Sequence, residues 1–219
     1  KELTLKQAAE DCRGTLTPEQ AEGMITGVQI DSRRVKPGDL FVAIKGEKSD
    51  GHDFIGMAAR LGASAALVQR PVKAAIPTIL VPDTIKAYGD LAAARRERMG
   101  MTVIGITGSV GKTTTKEMTA CMLERTYRTA RTEGNHNNNI GLPMTILDMP
   151  DDTETAVLEL GMNHFGEMAR LTSIAKPDVA VITNIGTMHI EHLGSREGIL
   201  QAKLEIFRGV PENGVRVLN

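Results

Sequence analysis

The chain has 219 residues, which is enough for one or two domains with a buried core. Its 26 lysines and arginines nearly balance its 27 aspartates and glutamates, and the formal net charge of −1 excludes a broad basic surface for nucleic acid or an anionic membrane. Two cysteines exclude a disulfide framework and no apolar run has the length of a membrane span, so we expect a cytoplasmic protein without membrane insertion.

Residues 1–81 are predicted to form a small mixed α/β domain. Hydrophobic periodicity predicts a helix at 3–12, a strand at 39–45, a helix at 53–61, a strand at 64–69 and a further apolar stretch at 76–83. Asp83 is a suitable N-cap for the amphipathic helix that follows through Met99. We therefore place the domain boundary near residue 82.

Strands and helices alternate in the second predicted domain, residues 82–219. Strands are predicted at 101–107, 155–160 and 178–183, and helices are predicted after Lys112, at 164–175 and at 195–207. Apolar strands separated by helices indicate a mostly parallel sheet with helices on both faces. Ligands bind such sheets at the carboxyl ends of the strands, so the loops after these strands are the candidate sites.

The segment GITGSVGKTTTKEM, residues 105–118, places a glycine-rich turn between a predicted strand and a predicted helix. Such a turn can direct backbone N–H groups at the phosphates of a nucleotide, while Lys112 reaches the terminal phosphates and Thr113 ligates Mg²⁺. The general pattern requires glycine where this chain has Ile106, but the shorter G-x-x-G-K-T pattern is intact. The alternative is a turn with a solvated lysine. The predicted nucleotide-binding residues are Gly108, Ser109, Val110, Gly111, Lys112, Thr113 and Thr114.

Polar residues follow two further stretches of the second domain. Glu159 stands at the end of a predicted strand, where a parallel sheet would bring it to the same edge as the glycine-rich turn, although strand-end acids are commonly just solvated. Four asparagines in TEGNHNNNIG, at 135 and 137–139, suit a polar or anionic ligand, and turn formation explains most such clusters.

Two histidines and a lysine near the carboxyl end are ambiguous by their residue types alone. His189 and His192 are three residues apart, but no metal-binding H-E-x-x-H pattern surrounds them. Lys203 lies on a predicted helix close to Glu205, and the ordinary interpretation is a solvated salt bridge.

Six segments in this order resemble the Mur ligases over nearly the whole chain. They are DSRRVKPGDLFVAIKGEKSDGHDFI, GITGSVGKTTTKEM, TEGNHNNNIGLPMTIL, LELGMNHFGEMARL, TNIGTMHIEHLGS and AKLEIFRGVPENG. Ile106 agrees with this family, whose loop is T-G-[ST]-x-G-K-[ST]. The resemblance is strongest to the members that join D-alanyl-D-alanine to UDP-N-acetylmuramoyl-tripeptide through an acyl phosphate, with ATP as the third substrate.

The resemblance implies roles for individual residues. Lys112, His189 and Lys203 would be catalytic, with Thr113 and Glu159 holding one Mg²⁺ and His189 holding a second. Lys203 would be carbamylated by CO₂ and would help to hold that second ion. The residues implied to bind the UDP-sugar peptide are Asp31, Ser32, Arg33, Lys45, Gly46, Asp50, Gly51 and His52. The substrate-binding residues Asn135, Asn137 and Asn138 would face either the muramoyl peptide or the ATP phosphates.

The sequence departs from the family pattern in two places and ends early. Leu204-Glu205 and Asn139 replace residues that the family pattern leads us to expect, and neither change removes an implied ligand. Because the family has three domains, we expect an incomplete ATP-binding domain, no C-terminal domain, and binding of the UDP-muramoyl peptide without product formation. We expect a monomer.

Three alternatives to this function stay open. One is a sister Mur ligase that adds a single amino acid, and another is an amide ligase like folylpolyglutamate synthase, against which the motifs of the first domain argue. The third is a nucleotide-binding or substrate-binding module without ligase chemistry.

Overall fold

The structure is a computed structural model that describes residues 2–16, 22–187 and 190–219. The chain forms two compact units, residues 1–91 and 92–219. The division falls inside the helix Thr84–Met99, whereas the sequence analysis places the domain boundary at the start of this helix.

The first unit contains a four-stranded parallel sheet. Its elements in chain order are β1 (Leu3–Thr4), α1 (Leu5–Asp11), β2 (Met24–Ile25), β3 (Gly27–Gln29), β4 (Asp39–Val42), α2 (Ile55–Arg60), β5 (Ala65–Val68) and β6 (Thr78–Leu80). The sheet order is β3-β4-β5-β6, and β1 pairs with β2 in an antiparallel ladder. β4 and β5 are buried along their whole length, as their apolar sequences predict.

The predicted helices of the first unit are present with shifted ends. The helix predicted at 3–12 begins at Leu5, because Thr4 caps it and forms a capping box with Gln7. The helix predicted at 53–61 begins with a 3₁₀ turn, Gly51–Phe54, whose N-cap is Asp50.

The second unit contains a five-stranded, fully parallel sheet. Its elements are α3 (Thr84–Met99), which spans the division, β7 (Thr102–Thr107), α4 (Lys112–Leu123), β8 (Thr129–Arg131), α5 (Gly141–Asp148), β9 (Thr155–Glu159), α6 (Glu167–Ala175), β10 (Val179–Ile182), α7 (Ile190–Leu193), α8 (Arg196–Leu204) and β11 (Val215–Leu218). The sheet order is β11-β10-β7-β9-β8, so β7 lies at the centre. This α/β architecture confirms the predicted fold class.

Helix α3 is capped and anchored by polar contacts. Asp83 Oδ1 accepts hydrogen bonds from the backbone N–H groups of Ile85 and Lys86 in the first turn, at 2.8 and 3.0 Å, which confirms the predicted N-cap. Arg95 and Arg96 reach carbonyl oxygens and also pair with Asp151 and Asp178, both at 2.8 Å. These bonds fix the helix against the loops at one end of the five-stranded sheet.

The interior of the second unit is formed by the central strand and its neighbours. Ile104 and Ile106 of β7 pack with Ala120 of α4 and Val157 of β9. Buried parallel strands need apolar residues on both faces, which accounts for the continuous apolar runs. Among the described residues, no helix combines the length and the apolar character that crossing a membrane requires.

Candidate nucleotide-binding site

The phosphate loop connects the central strand β7 to helix α4. Gly111, immediately before the helix, has φ of 83°, a left-handed conformation that glycine adopts without steric cost. The first turn of any helix lacks intrahelical acceptors for its N–H groups, and Gly111 has no side chain to supply one. These N–H groups and the helix dipole together favour an anion in front of residues 112–114.

Lys112 and Thr113 begin the helix and direct their side chains to different partners. Lys112 Nζ donates to the carbonyl oxygen of Gly108 at 3.0 Å. Thr113 Oγ1 donates to Glu159 Oε2 at 2.9 Å. The hydroxyl and the carboxylate therefore lie side by side, as the sequence analysis expects of a metal-holding pair.

Glu159 is delivered to the loop by strand pairing. β9 lies beside β7 with Glu159 opposite Ile106, so the acid leaves the sheet next to the phosphate loop. Its side chain is only 3% exposed, and its second oxygen accepts a hydrogen bond from Asn137 Nδ2 at 3.0 Å. The alternative of a solvated strand-end acid is therefore wrong for Glu159.

The pair formed by Thr113 and Glu159 fits one Mg²⁺. Hydroxyl and carboxylate oxygens are ligands that Mg²⁺ accepts, and the phosphates of a bound nucleotide would add further oxygen ligands. No group of three or more histidine, cysteine, aspartate or glutamate side chains forms a metal site within residues 2–16, 22–187 and 190–219. His189, the residue implied to hold a second ion, lies outside the described residues, and its role stays a prediction.

Lys203 is buried in the same region. Its side chain is 3% exposed, and burial, followed by repulsion from Lys112, lowers the pKa of its amine to about 8. Glu205 does not pair with it but accepts a hydrogen bond from the N–H of Ala169 at 3.0 Å. The interpretation of Lys203 as part of a solvated salt bridge is therefore wrong.

Lys112 and Lys203 line one polar cavity of about 210 Å³. Its lining includes Gly108, Lys112, Asn137, Asn139, Glu167 and Lys203. Two lysines and several amides suit a ligand that carries negative charge. The structure thus brings together the predicted residues of the phosphate loop, the asparagine loop and the carboxyl-terminal helix.

The asparagine loop has both a structural and a site-facing part. Asn138 Oδ1 accepts hydrogen bonds from the N–H groups of Ile140 and Gly141 at 3.0 and 2.9 Å and thereby supports the start of α5. Asn137 bonds Glu159, and the carbonyl of Asn135 accepts the N–H of Asn137 at 2.8 Å. Turn formation accounts for part of this cluster, and the contact with Glu159 accounts for another part.

The first predicted substrate-binding group of the first unit surrounds Asp31. Asp31 and Arg33 form an exposed, two-pronged ion pair with distances of 2.9 and 2.7 Å, and these bonds lower the pKa of Asp31 to about 2. Ser32 is buried, and its hydroxyl donates to the sulfur of Met57 at 3.7 Å. Their role in substrate binding stays a prediction.

The second predicted group forms a tight loop between β4 and α2. Lys45 and Asp50 make an isolated antiparallel bridge, and the N–H of Gly46 donates to the carbonyl of Ser49 at 2.9 Å. A Cβ on Gly51 would lie 2.7 Å from the backbone nitrogen and oxygen of Ile44, so only glycine fits there. The predicted binding role of this group is likewise untested.

His52 has a partner on each ring nitrogen. Nδ1 lies 2.5 Å from Asp50 Oδ1, while Nε2 accepts the N–H of Gln69 at 3.1 Å. The second bond requires the hydrogen to reside on Nδ1 in the neutral ring. His52 therefore fastens the loop to the start of the segment after β5.

Three further polar residues of the second unit have defined partners: His192, and also Thr132 and Asn184, which the sequence analysis does not assign to the site. The ring of His192 lies 4.6 Å from that of His164, on the exposed side of α7. Buried Thr132 accepts the N–H of Glu159 at 3.0 Å, and Asn184 contacts the phosphate loop. The motif TNIG, directly after an apolar strand, was the signal for Asn184, whereas nothing in the sequence singles out Thr132.

In the second unit, a strand leads through a glycine-rich loop into a helix that begins with Lys112 and Thr113, and an acid lies on the adjacent strand. This arrangement defines a nucleotide-binding α/β protein of the phosphate-loop class. The family model "Mur ligase middle domain" matches residues 106–219, and the model "Mur ligase family, catalytic domain" matches residues 24–96. The chain belongs to the Mur ligase family.

Individual relatives agree with this assignment. The UDP-N-acetylmuramoyl-tripeptide–D-alanyl-D-alanine ligase of Bacillus subtilis is 48% identical over 98% of this chain and 48% of its own length. A crystal structure of MurF from Acinetobacter baumannii has a TM-score of 0.94 at 41% identity and covers 100% of this chain and 49% of its own. MurF ligase from Thermotoga maritima in complex with ADP has a TM-score of 0.83 at 40% identity, over 88% and 45%. The chain spans about half the length of these relatives.

Proposed function

We propose that this chain is part of an ATP-dependent ligase that joins D-alanyl-D-alanine to UDP-N-acetylmuramoyl-tripeptide in the synthesis of peptidoglycan precursors. The observation that carries the proposal is the 48% identity, over 98% of this chain, to a protein named for that reaction. The phosphate loop and the Thr113–Glu159 pair support the use of ATP. A sister ligase and an enzyme like folylpolyglutamate synthase are not favoured, because relatives that are 48% and 44% identical are both named as D-alanyl-D-alanine ligases.

A division of labour between the units is part of the proposal. Residues 1–81 bind the UDP-muramoyl peptide through the Asp31–Arg33 pair and the loop of residues 45–52. Residues 82–219 bind ATP. The unit with the phosphate loop has its own sheet and its own cavity, which supports this separation.

The first chemical step is phosphoryl transfer to the peptide. A carboxylate oxygen of the tripeptide attacks the γ-phosphorus of ATP, and the bond between this phosphorus and the β,γ-bridging oxygen breaks. ADP is the leaving group, and the peptide becomes an acyl phosphate. Because both reactants are anions, they repel each other unless cations lie between them. Lys112 places one such charge in the cavity, and Mg²⁺ held by Thr113 and Glu159 supplies more when bound.

The second step forms the amide. The neutral amine of D-alanyl-D-alanine attacks the acyl carbon, inorganic phosphate leaves with the electrons of the carbon–oxygen bond, and the nitrogen loses one proton. Exclusion of water protects the acyl phosphate from hydrolysis at this stage. The buried positions of Glu159 and Lys203 support such a water-poor site.

We also propose that Lys203 acts as a carbamate. The ammonium loses one proton, and the neutral amine then attacks CO₂; a nitrogen–carbon bond forms, one carbon–oxygen π bond opens and a second proton leaves the nitrogen. A cation thereby becomes an anion that could help to hold a second Mg²⁺ with His189. The burial of Lys203 in a cavity that also contains Lys112 supports this, because two ammonium groups repel each other there.

The overall proposal is tested with the full-length protein. ATP, Mg²⁺, bicarbonate and UDP-N-acetylmuramoyl-tripeptide are mixed with D-alanyl-D-alanine or with single amino acids, and the products are measured by mass spectrometry. We expect ATP-dependent amide formation only with the dipeptide, and no product from the 219 residues alone. A product with a single amino acid instead, or ATP binding without any ligation, would overturn the proposal.

The carbamate has its own test. Lys203→Ala should lower turnover at least about a hundredfold, the size typical of losing one electrostatic stabiliser, and added short-chain carboxylates should restore part of it. Lys86→Ala removes an exposed lysine of α3 and should leave turnover unchanged. Equal turnover in Lys203→Ala, or a loss that no carboxylate restores, would contradict the carbamate.

The cellular setting follows from the proposed reaction. A ligase that uses ATP and UDP-linked sugars acts where these nucleotides are made, so we propose a cytoplasmic enzyme, and we propose that it acts as a monomer. Size-exclusion chromatography with light scattering on the full-length protein tests the monomer.

A further inference from the structure

Thr183 and Asn184 follow strand β10 and contact the phosphate loop, although the proposed mechanism uses neither residue. β10 pairs in parallel with β7, and Ile182 lies opposite Thr107. The two strands therefore end side by side, so the residues after β10 meet the loop after β7. This placement is a property of the sheet order rather than of proximity in sequence.

Asn184 holds the backbone of the loop mainly through its side-chain oxygen, and its main-chain carbonyl also accepts the N–H of Ser109 at 3.2 Å. Its Oδ1 accepts hydrogen bonds from the N–H groups of Ser109 and Val110, at 3.1 and 2.9 Å. A side-chain amide oxygen has two lone pairs and can accept both bonds at once. These two N–H groups are thereby engaged, while the N–H groups at the start of α4 have no intrahelical acceptors and face the anion site.

The flanking residues reinforce this contact. Thr183 Oγ1 donates to the carbonyl oxygen of Val110 at 2.6 Å, and the N–H of Gly186 donates to Ser109 Oγ at 2.9 Å. A carbonyl oxygen engaged by Thr183 is not free to turn toward the phosphates, which it would repel. The motif TNIG thus fixes both the N–H and the C=O groups of the first half of the loop.

We propose that Asn184 is a positioning residue for nucleotide binding, which holds the phosphate loop in its binding conformation before the nucleotide arrives. A loop bounded by two glycines has many accessible backbone conformations, and ordering it during binding would weaken affinity. Asn184 removes this cost in advance and stays bonded to the loop when the phosphates are present. The inference rests on the proposed use of ATP by this site.

The principal test compares two asparagine variants of the full-length protein by calorimetric titration with Mg²⁺ and ADP. Asn184→Ala removes both side-chain hydrogen bonds and leaves the Ser109 N–H only the main-chain carbonyl of residue 184, so it should weaken ADP binding about tenfold. Asn213→Ala changes an asparagine in the exposed turn before β11, at the amino ends of the strands and therefore away from the phosphate loop, and should bind ADP like the unmodified protein. In both variants the affinity for UDP-N-acetylmuramoyl-tripeptide should be unchanged. This second titration is the control for folding, because an unfolded variant would lose affinity for the peptide as well as for ADP.

A second pair of variants keeps the test decisive where Asn184→Ala fails to fold. Thr183→Ser retains the hydroxyl that donates to Val110 and should bind ADP normally, whereas Thr183→Val keeps the shape without the donor and should bind several-fold more weakly. In steady-state assays, the KM for ATP should rise in Asn184→Ala and Thr183→Val while the KM for the UDP-linked peptide stays constant.

The outcomes separate the inference from the proposed function. Unchanged ADP affinity in both Asn184→Ala and Thr183→Val would overturn the positioning role, even where the unmodified protein forms the expected amide. An unmodified protein that binds ADP without forming any amide would overturn the proposed reaction but would leave the comparison of variants valid.

Discussion

Single residues of the phosphate loop are defined by what surrounds them. Gly108 has φ of 152°, and a Cβ there would lie only 1.9 Å from Thr183 Oγ1 and 3.2 Å from the backbone nitrogen of Asn184. The glycine is required because the end of β10 occupies the space of a side chain. Lys112 and Thr113 were recognisable from local pattern, since their roles depend on the turn that precedes them.

Gly108→Ala should therefore disturb the loop. The added methyl must displace Thr183, so we expect a loss of stability of about 1–3 kcal/mol and weaker binding of ADP with Mg²⁺. Chemical denaturation and calorimetry measure the two effects.

Gly100→Ala is the matched control for this substitution. Gly100 also has positive φ, but nothing lies within 4 Å of its added Cβ. Its substitution should cost only backbone strain of roughly 1–2 kcal/mol and leave ADP affinity unchanged. Equal ADP affinities in the two variants would contradict the steric argument.

At the scale of elements, long apolar runs were predicted well and short ones were missed. β7 and β9 appear where predicted, because buried parallel strands need continuous apolar sequence. β8 was missed because it has only three residues, all half-buried, which is too short for a hydrophobic pattern to predict a strand. α5 was missed because Pro143 and Gly141 suggest a loop, although proline is tolerated in the first turn, where N–H groups have no helical partner.

The loop of residues 45–52 gives a prediction at this scale. Asp50 accepts hydrogen bonds from the backbone N–H and the ring of His52, and these bonds lower the pKa of Asp50 from 3.8 to about 2. A carboxyl whose pKa is lower in the folded state than in the unfolded state stabilises the fold at pH values above its unfolded-state pKa. This stability is lost as the pH falls toward the folded-state pKa.

Asp50→Asn should change how the stability of the fold depends on pH. The difference in free energy of unfolding between the unmodified protein and this variant should be steady above about pH 5 and should shrink between pH 4 and 2. Urea denaturation across this range measures it. A difference that stays constant down to pH 2 would show that the carboxylate bonds do not stabilise the folded loop.

At the scale of the whole molecule, the two units carry separate groups of predicted binding residues. The Asp31–Arg33 pair and the loop of residues 45–52 belong to the first unit, and the cavity with Lys112 belongs to the second. Separate sheets and separate cores allow one ligand site to fail without the other.

Lys112→Ala tests this separation in the full-length protein. Loss of a charge-assisted contact should weaken binding of ADP with Mg²⁺ by about 10- to 100-fold and abolish ligation, while the affinity for UDP-N-acetylmuramoyl-tripeptide stays the same. Calorimetric titration with each ligand gives both affinities, and Lys86→Ala serves as the exposed lysine control. Loss of both affinities in Lys112→Ala would contradict the assignment of the ligands to different units.

The sequence by itself determined the fold class, the phosphate loop and the identity of Lys112 and Thr113, because these depend on hydrophobic period and on residues adjacent in the chain. Only the tertiary structure decided that Glu159 meets Thr113, that Lys203 is buried and that Asn184 holds the loop. The physical reason is the sheet order: β7 lies between β9 and β10, and no local pattern encodes which strands become neighbours.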